Sequence, residues 1–279
     1  MIQLLFGDCL EQLNNIADDS IDMVFADMPY GTTQNAWDTP IPLNDYVRVN
    51  DNMFSFNEYL HYAYQQGIPY MDAIEFFQAH HVKGLWYQLE RIISDNGVIA
   101  LWCQSPFDKE LAQSNRRLYR YEWIIEKTKG TGHLNARKMP MKCHENVLIF
   151  YKSLPVYSPQ MTDGHPPVHN YTKHTDNGSN YGKGQLGISG GGSTTRYPRD
   201  IISFKWDTQK SKLHPTQKPL EACKYFIMTY TNPGDTVLDF CMGSNTTGLA
   251  SKELQRNYIG IESDEHYFKI ATERINSSI

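Results

Sequence analysis

Short apolar runs rich in β-branched residues alternate along the chain with stretches whose apolar positions recur at helical spacing. The runs predict strands at Ile2 to Phe6, Ile21 to Ala26, Val98 to Cys103, Tyr121 to Glu126, Asn146 to Tyr151, Thr236 to Phe240 and Tyr258 to Ile261. The helical spacings predict helices near Cys9 to Ile16, Val82 to Ile93, Phe107 to Leu118, Leu220 to Thr231, Thr247 to Gln255 and Glu265 to Ile275. Strands that alternate with helices build βαβ units, so the expected fold is α/β with a mostly parallel, seven-stranded sheet. Asn232-Pro233-Gly234 ends one helix and launches Thr236 to Phe240, which makes the last quarter of the chain a complete αβαβα segment. With the termini side by side, Ile2 to Phe6 continues that wind, which suggests a circular permutation.

Two stretches break the alternation. Residues 39–81 are long and polar with scattered aromatics, and read as a long loop insert between a strand and its following helix. Residues 152–212 turn to Gly, Ser, Asn, His and Tyr, with eight glycines between Gly164 and Gly192. Such a composition reads either as a flexible linker or as a mobile recognition element. The expected organisation is a catalytic core of 1–151 and 213–279 that carries both inserts.

Charge decides between those readings. The net charge of -5 hides an asymmetry, because residues 109–218 hold 18 Lys/Arg against 8 Asp/Glu while residues 1–108 hold 3 against 15. The basic third also carries Tyr119, Tyr121, Trp123, Tyr171, Tyr181 and Tyr197, a combination that suits a phosphate backbone with exposed bases. Hydrophobic residues at 40% supply a core, and no apolar run approaches the ~18 residues of a bilayer span. Asp8 follows Met1 to Phe6 too soon for a signal-peptide core. Cys9, Cys103, Cys143, Cys223 and Cys241 are odd in number and never spaced as C-x-x-C, so neither a disulfide framework nor a zinc knuckle is expected. His165, His169 and His174 lack partner cysteines and read as surface or DNA-contacting residues rather than metal ligands. The expectation is a globular protein of a reducing cytoplasm, with no metal and no membrane partner.

Three constellations carry candidate chemistry. Asp27-Met28-Pro29-Tyr30-Gly31 follows a strand directly, so a carboxylate and a phenol emerge where α/β sheets place their ligands; alone it reads equally as a turn. Val237 to Gly248 is a strand that enters a helix through Asp239, Phe240, Cys241, Met242, Gly243, Ser244, Asn245, Thr246 and Thr247. It is neither a G-x-G-x-x-G fingerprint nor a P-loop, yet its small residues admit a ligand to the backbone. The next strand ends in Glu262, where Rossmann-like folds take a ribose's hydroxyls, and the two together imply a nucleoside-bearing cofactor. The third is His214-Pro215-Thr216-Gln217-Lys218-Pro219-Leu220, whose second proline sits at a helix start.

In this order the motifs resemble the β-class S-adenosylmethionine-dependent DNA amino-group methyltransferases, in which the catalytic motif precedes the cofactor motif. Gly7-Asp8-Cys9, Lys127 to Lys142 and His144 to Lys152 read like that family too, so the likeness spans nearly the whole chain. It implies a Rossmann-like, circularly permuted methyltransferase sheet with residues 152–212 as a target-recognition insert. It implies S-adenosylmethionine as cofactor, held by Asp8, Cys9, Thr216, Lys218, Asp239, Phe240, Gly243, Ser244, Asn245, Thr246, Thr247 and Glu262. Asp27, Met28, Pro29 and Tyr30 would form the catalytic motif: the Asp27 carboxylate and Met28 carbonyl accept the target amine's N-H bonds, and Tyr30 stacks on the flipped base. Where the family usually has proline and glycine, this chain has Met28 and Asn245. Arg137, Lys138, Arg196, Arg199, Lys205, Lys210 and Lys212 are candidate contacts to double-stranded DNA. The likeness further implies a prokaryotic cell or phage-infected host, a homodimer and a cognate restriction endonuclease. Asp27 points to adenine N6 as the methylated atom, since the family generally places Ser there for cytosine. The alternatives are cytosine N4 methylation and a non-catalytic DNA-binding protein of the same fold.

Overall fold

The computed structural model describes residues 1–31, 38–172, 187–206 and 217–277. In chain order the strands are β1 (Ile2–Phe6), β2 (Ile21–Ala26), β3 (Tyr46–Val49), β4 (Asn52–Ser55), β5 (Ile93–Cys103), β6 (Tyr119–Thr131), β7 (Lys142–Phe150), β8 (Tyr171–Thr172), β9 (Ser189–Gly190), β10 (Ile201–Phe204), β11 (Thr236–Asp239) and β12 (Asn257–Glu262). The helices are α1 (Cys9–Leu13), α2 (Phe56–Gln65), α3 (Tyr70–His80), α4 (Leu85–Ile92), α5 (Phe107–Ser114), α6 (Leu220–Tyr230), α7 (Thr246–Glu253) and α8 (Glu265–Ser277).

Eight strands form the main sheet in the order β1-β12-β11-β2-β5-β7-β6-β10, and only β7 runs antiparallel to its neighbours. The first and last strands of the sequence lie side by side, Ile2 opposite Tyr258 and Phe6 opposite Glu262, which is the permuted arrangement. Strands covered on both faces read as unbroken apolar runs, and β2 and β5 show why. Val24, Ala26, Ile99 and Leu101 join one core with α1, α4 and α5. Met23, Phe25, Val98, Ala100 and Trp102 join the other with α6 and α7. Alternate side chains of one strand thus feed two separate cores. β10 is an eighth, edge strand within the stretch expected to be insert. Its alternating exposure and Gly/Ser-rich surroundings hide it, while its backbone pairs in parallel with β6 from Ile201 opposite Ile124.

The expected loop at 39–81 is instead structured. β3 and β4 form a hairpin, α2 and α3 follow, and Val47, Tyr59, Ala63, Ala73 and Phe77 bury one another in a small core. Its apolar residues, small, aliphatic and aromatic, are interrupted by polar ones, so no single run reaches strand or helix length in the sequence. Backbone bonds between Tyr46 and Val82, of 3.0 and 2.7 Å, tie it to the approach of α4. The free amides of Leu85 and Trp86 at the head of α4 donate to the carbonyls of Pro42 and Leu43 at 2.8 and 3.0 Å, a helix start satisfied by backbone rather than a side-chain cap.

Residues Pro159–Arg199 form a separate compact unit, narrower than the expected insert, and the rest of the described chain forms the other. Within the smaller unit β8 pairs with β9, and Thr162 pairs with Arg196.

The contact at the head of α4 leaves no room for a side chain at Gly84, where a Cβ would stand 2.2 Å from the Asn44 carbonyl oxygen. Gly84→Ala is expected to lower the unfolding free energy by about 1–3 kcal/mol, read from the urea midpoint at constant slope. An unchanged midpoint would show that residues 42–45 are free to move away.

Candidate functional site

Parallel pairing of β1, β12, β11 and β2 sets four carboxyl-terminal strand ends in a row, and each ends in an acid. Asp8 follows β1, Glu262 ends β12, Asp239 ends β11 and Asp27 follows β2. All four line one cavity of about 1150 Å³ that continues along the sheet edge to Lys127 on β6, Glu145 on β7 and Lys205-Trp206 after β10.

Each acid is fixed by its own backbone. Asp8 caps α1, its Oδ1 accepting from the amides of Leu10 and Glu11 at 2.9 and 3.2 Å. Glu262 accepts from Gly243 N through Oε2 and from Asp264 N through Oε1, both at 2.9 Å, which ties the end of β12 to the loop after β11. Asp239 accepts from Cys241 N at 3.1 Å and from the Thr247 hydroxyl. Burial pushes the Asp239 carboxyl up to about 7, with Asp27 and Glu262 adding to the rise, and burial raises Glu262 as well.

The loop into α7 is held from outside by Arg274 of α8. Its Nη1 donates to the Ser244 carbonyl at 2.8 Å and to Thr246 Oγ1 at 2.9 Å. Asn245 sits in the left-handed region at φ 63°, ψ 42°, which Asn adopts more readily than most residues. It is fully buried, with its Oδ1 2.0 Å from where a Cβ at Gly248 would lie, so Gly248 is required by close approach.

Asp27 stands in a different setting. The Tyr30 hydroxyl donates to its Oδ1, and Lys218 Nζ lies 3.0 Å from its Oδ2. Lys218 also meets Glu145 Oε2 at 2.8 Å, and Lys127 meets Glu145 Oε1 at 2.5 Å. Burial raises the Asp27 carboxyl despite the opposing Lys218 charge. Burial would raise Glu145 too, but the two ammonium groups outweigh it and hold that carboxyl below its ordinary value. The Tyr30 ring stacks on Phe107 at 5.5 Å between centroids, and Lys218 lies over Trp102 at 5.0 Å. Asp38 Oδ1 accepts from the amides of Tyr30 and Gly31 at 2.7 and 2.9 Å, which fixes the turn after β2.

The structure thus gathers Asp8, Cys9, Asp27, Met28, Pro29, Tyr30, Lys218, Asp239, Phe240, Gly243, Ser244, Thr246, Thr247 and Glu262 around one cavity. Asn245 lies behind the cavity wall. Lys205 lines the cavity, while Arg137 and Lys138 are exposed in the connection from β6 to β7. Arg199 is exposed on the smaller unit, where Arg196 spends its guanidinium on the carbonyls of Ser193, Thr195 and Pro166. Thr216, Lys210 and Lys212 lie outside the described residues, as does His174. No cluster of metal-ligating side chains occurs among the described residues.

Sequence reasoning missed Lys127, Glu145, Trp102, Trp206, Asp38 and Arg274. A signal existed for Glu145, because an acid directly before the buried run Asn146 to Phe150 needs a partner.

A family model described as DNA methylase, of the N6/N4 type, matches residues 21–273. The type II methyltransferase M.HinfI of Haemophilus influenzae is 27% identical over 98% of this chain and 67% of its own length. M.HpaI of Haemophilus parainfluenzae is 23% identical over 99% of this chain and 74% of its own. Among solved structures, the cytosine-N4-specific PvuII DNA methyltransferase aligns with a TM-score of 0.59 at 14% identity, covering 100% of this chain and 88% of its own. A SAM complex of M1.HpyAVI aligns at 0.58 and 22% identity over 99% of this chain and 100% of its own. These structural likenesses establish a Rossmann-like methyltransferase fold.

Asp239 gives the site a measurable pH signature. The folded protein binds its proton more tightly than the unfolded chain, whose carboxyl has the ordinary value of 3.8. Stability from this group is therefore present at low pH and lost as pH rises through about 7. In Asp239→Asn, the stability gained on going from about pH 8 to about pH 5 should shrink by on the order of 2 kcal/mol, measured by urea denaturation without ligand. An unaltered pH slope would show that Asp239 is ionised throughout.

Proposed function

The chain belongs to the DNA methylase family, and from that premise we propose that it transfers a methyl group from S-adenosylmethionine to the N6 amino group of an adenine in double-stranded DNA. The observation that carries this reading is the Asp27 carboxylate at the end of β2, opening on the same cavity as the acids of β1, β11 and β12.

The residues present fit the cofactor. Burial raises Asp239, with Asp27 and Glu262 adding to the rise, and burial raises Glu262, with Asp264 adding to it, so a cationic ligand lowers the cost of ionising either carboxyl. S-adenosylmethionine carries a sulfonium and an ammonium. In this reading Glu262 holds its ribose hydroxyls, Asp8 takes its adenine amino group, and the loop from Asp239 to Thr247 lies under its methionine end. Bound there, it supplies a methyl group on positively charged sulfur, which departs as a neutral thioether.

An exocyclic amine on an aromatic ring has its lone pair delocalised, so it is a poor nucleophile until drawn towards tetrahedral geometry. Asp27 and the Met28 carbonyl accept its two N-H bonds, favouring that geometry and the positive charge that develops on nitrogen. The amine's lone pair forms the new N-C bond, and the proton that nitrogen then sheds passes to Asp27 or to solvent. No covalent bond to the protein is needed.

The target atom is buried in a duplex, so the base must be extruded at a cost of a few kcal/mol. Tyr30, backed by Phe107, offers stacking worth roughly 1–3 kcal/mol in return. Exposed Lys205, Arg137 and Lys138 suit the phosphate backbone, and the insert around Pro159–Arg199 serves as the target-recognition segment.

Incubation with S-adenosylmethionine and unmethylated DNA, followed by digestion to nucleosides and mass spectrometry, should yield N6-methyladenine. N4-methylcytosine, the product class of the PvuII enzyme, would keep the mechanism and overturn the adenine assignment. Neither product, with no cofactor binding, would favour a non-catalytic DNA-binding protein. Asp27→Ala should lower turnover by roughly 10²–10³-fold or more while sparing cofactor binding by calorimetry.

Replacing Tyr30 separates stacking from hydrogen bonding. Tyr30→Ala should weaken activity by about tenfold or more relative to Tyr30→Phe, in line with the worth of one stacked base. Equal loss in Phe, Trp and Ala variants would sink the stacking role.

A further inference from the structure

One ammonium group joins two carboxylates that lie far apart in the sequence. Lys218 Nζ stands 3.0 Å from Asp27 Oδ2 and 2.8 Å from Glu145 Oε2, and Lys127 closes the row on Glu145 Oε1. The side chains of Lys218 and Glu145 are each only 9% exposed, so neither charge is balanced by bulk water. Asp27 retains 22% exposure and faces the cavity. Its two oxygens are unlike: Oδ2 is held by the buried ammonium, whereas Oδ1 takes the hydroxyl of Tyr30, a residue that itself lines the cavity.

We propose that Lys218 and Glu145 are positioning residues for Asp27. Glu145 anchors Lys218, and Lys218 holds the Asp27 carboxylate in place and anionic, leaving Oδ1 to exchange the Tyr30 hydroxyl for the target amine. The proposal rests on the methyl-transfer reading and deepens it. It moves Lys218 from the cofactor's methionine end, where family resemblance put it, to the acceptor carboxylate.

Three physical arguments support this. A buried carboxylate beside a second one is driven to its neutral form, which accepts fewer N-H bonds, unless a cation lies between them. Lys218 is that cation: burial alone would depress it, but Asp27 and Glu145 together raise it well above its ordinary value, so it stays charged. Second, a partner at Oδ2 alone fixes the carboxylate's rotation while sparing the oxygen nearest the tyrosine. Third, the Tyr30 ring is the stacking surface, so moving it onto a base breaks its hydroxyl bond to Oδ1 in the same step. The groups that face Asp27 are Lys218 before α6, Glu145 on β7, Tyr30 on its own turn, Cys103 at the end of β5 and Asp239 at the end of β11. Among these described groups only Lys218 is cationic, with Lys127 acting through Glu145.

Opposite charges predict opposite shifts, which a merely structural role does not. In ligand-free protein with ¹³C-labelled aspartate, the Asp27 carboxyl is assigned by its absence from Asp27→Asn and titrated by NMR. Lys218→Met should raise its midpoint by about one unit or more, Glu145→Gln should lower it, and Lys218→Arg should leave it within about half a unit. The acidic limb of DNA methylation should move the same way, with turnover of Lys218→Met down about tenfold or more near pH 7 and recovering towards alkaline pH. Cofactor affinity should stay within about threefold, well under the tenfold that 1.4 kcal/mol represents. An unmoved midpoint in Lys218→Met with lost cofactor affinity would return Lys218 to the cofactor site and overturn the proposal. Shifts of the same sign in Lys218→Met and Glu145→Gln would overturn it as well. Should Lys218→Met fail to fold, the downward shift in Glu145→Gln is the deciding result. Absence of DNA methylation by the unaltered protein would sink the functional reading while leaving the titration intact.

Discussion

Parallel pairing is the constraint on which the rest of this structure depends. Four neighbouring strands that run the same way must end along the same edge, so four acids from widely separated parts of the sequence become neighbours. Nothing in their spacing along the chain would bring Asp8 beside Glu262, or Asp239 beside Asp27. The register does so: Phe6 pairs with Glu262 and Asp239 with Gly260. The same geometry buries both faces of β2 and of the Val98 to Cys103 stretch of β5, which is why Met23 to Ala26 and Val98 to Cys103 are apolar throughout.

Gathering acids at one edge is electrostatically costly, and the two halves of the site meet that cost differently. Among the described residues no cation pairs with Asp239 or Glu262, so the carboxyls rise and hydrogen bonds offset only part of the burial. Around Asp27 the protein supplies its own cations, Lys218 and Lys127. A half that lacks a cation is suited to receive one, and a half that contains its own is suited to a neutral partner such as an aromatic amine. On the methyl-transfer reading, one cavity would thereby distinguish its two occupants by charge before any shape is considered.

Much of this was legible in the sequence, and the failures have physical reasons. β1 and β2 fall where the apolar runs place them; β2 is covered on both faces, and β1, a half-exposed edge strand, still carries an unbroken run of mostly apolar residues. β6 runs past the predicted Tyr121 to Glu126 and β7 starts before the predicted Asn146, because most of the added residues are polar and exposed and the Lys127-Glu145 ion pair among them leaves no apolar pattern. The hairpin and helices of 39–81 escaped notice because their core is made of scattered small and aromatic residues that meet only after folding. The strand-end acids could be read from motif position, whereas the Lys218-Glu145 pair joins residues 73 apart and has no periodicity to betray it.

Asn245 shows why a departure from a family pattern need not mark a lost function. The loop into α7 needs a left-handed residue at that point, and glycine meets the need without cost. Asparagine meets it too, but brings a side chain that must be buried. Gly248 makes that space, and Arg274 on α8 holds the flanking Ser244 and Thr246 from behind. The amide is left with a weak 3.5 Å bond from its Nδ2 to the Ala271 carbonyl and a buried Oδ1 that accepts none. The substitution is therefore a burden on stability carried behind the cavity wall, and the ligand-facing surface of the loop, formed by Gly243, Ser244 and Thr246, does not contain it. Gly243, Ser244 and Thr246 line the cavity, and Asn245 packs behind them on the other side of the same backbone.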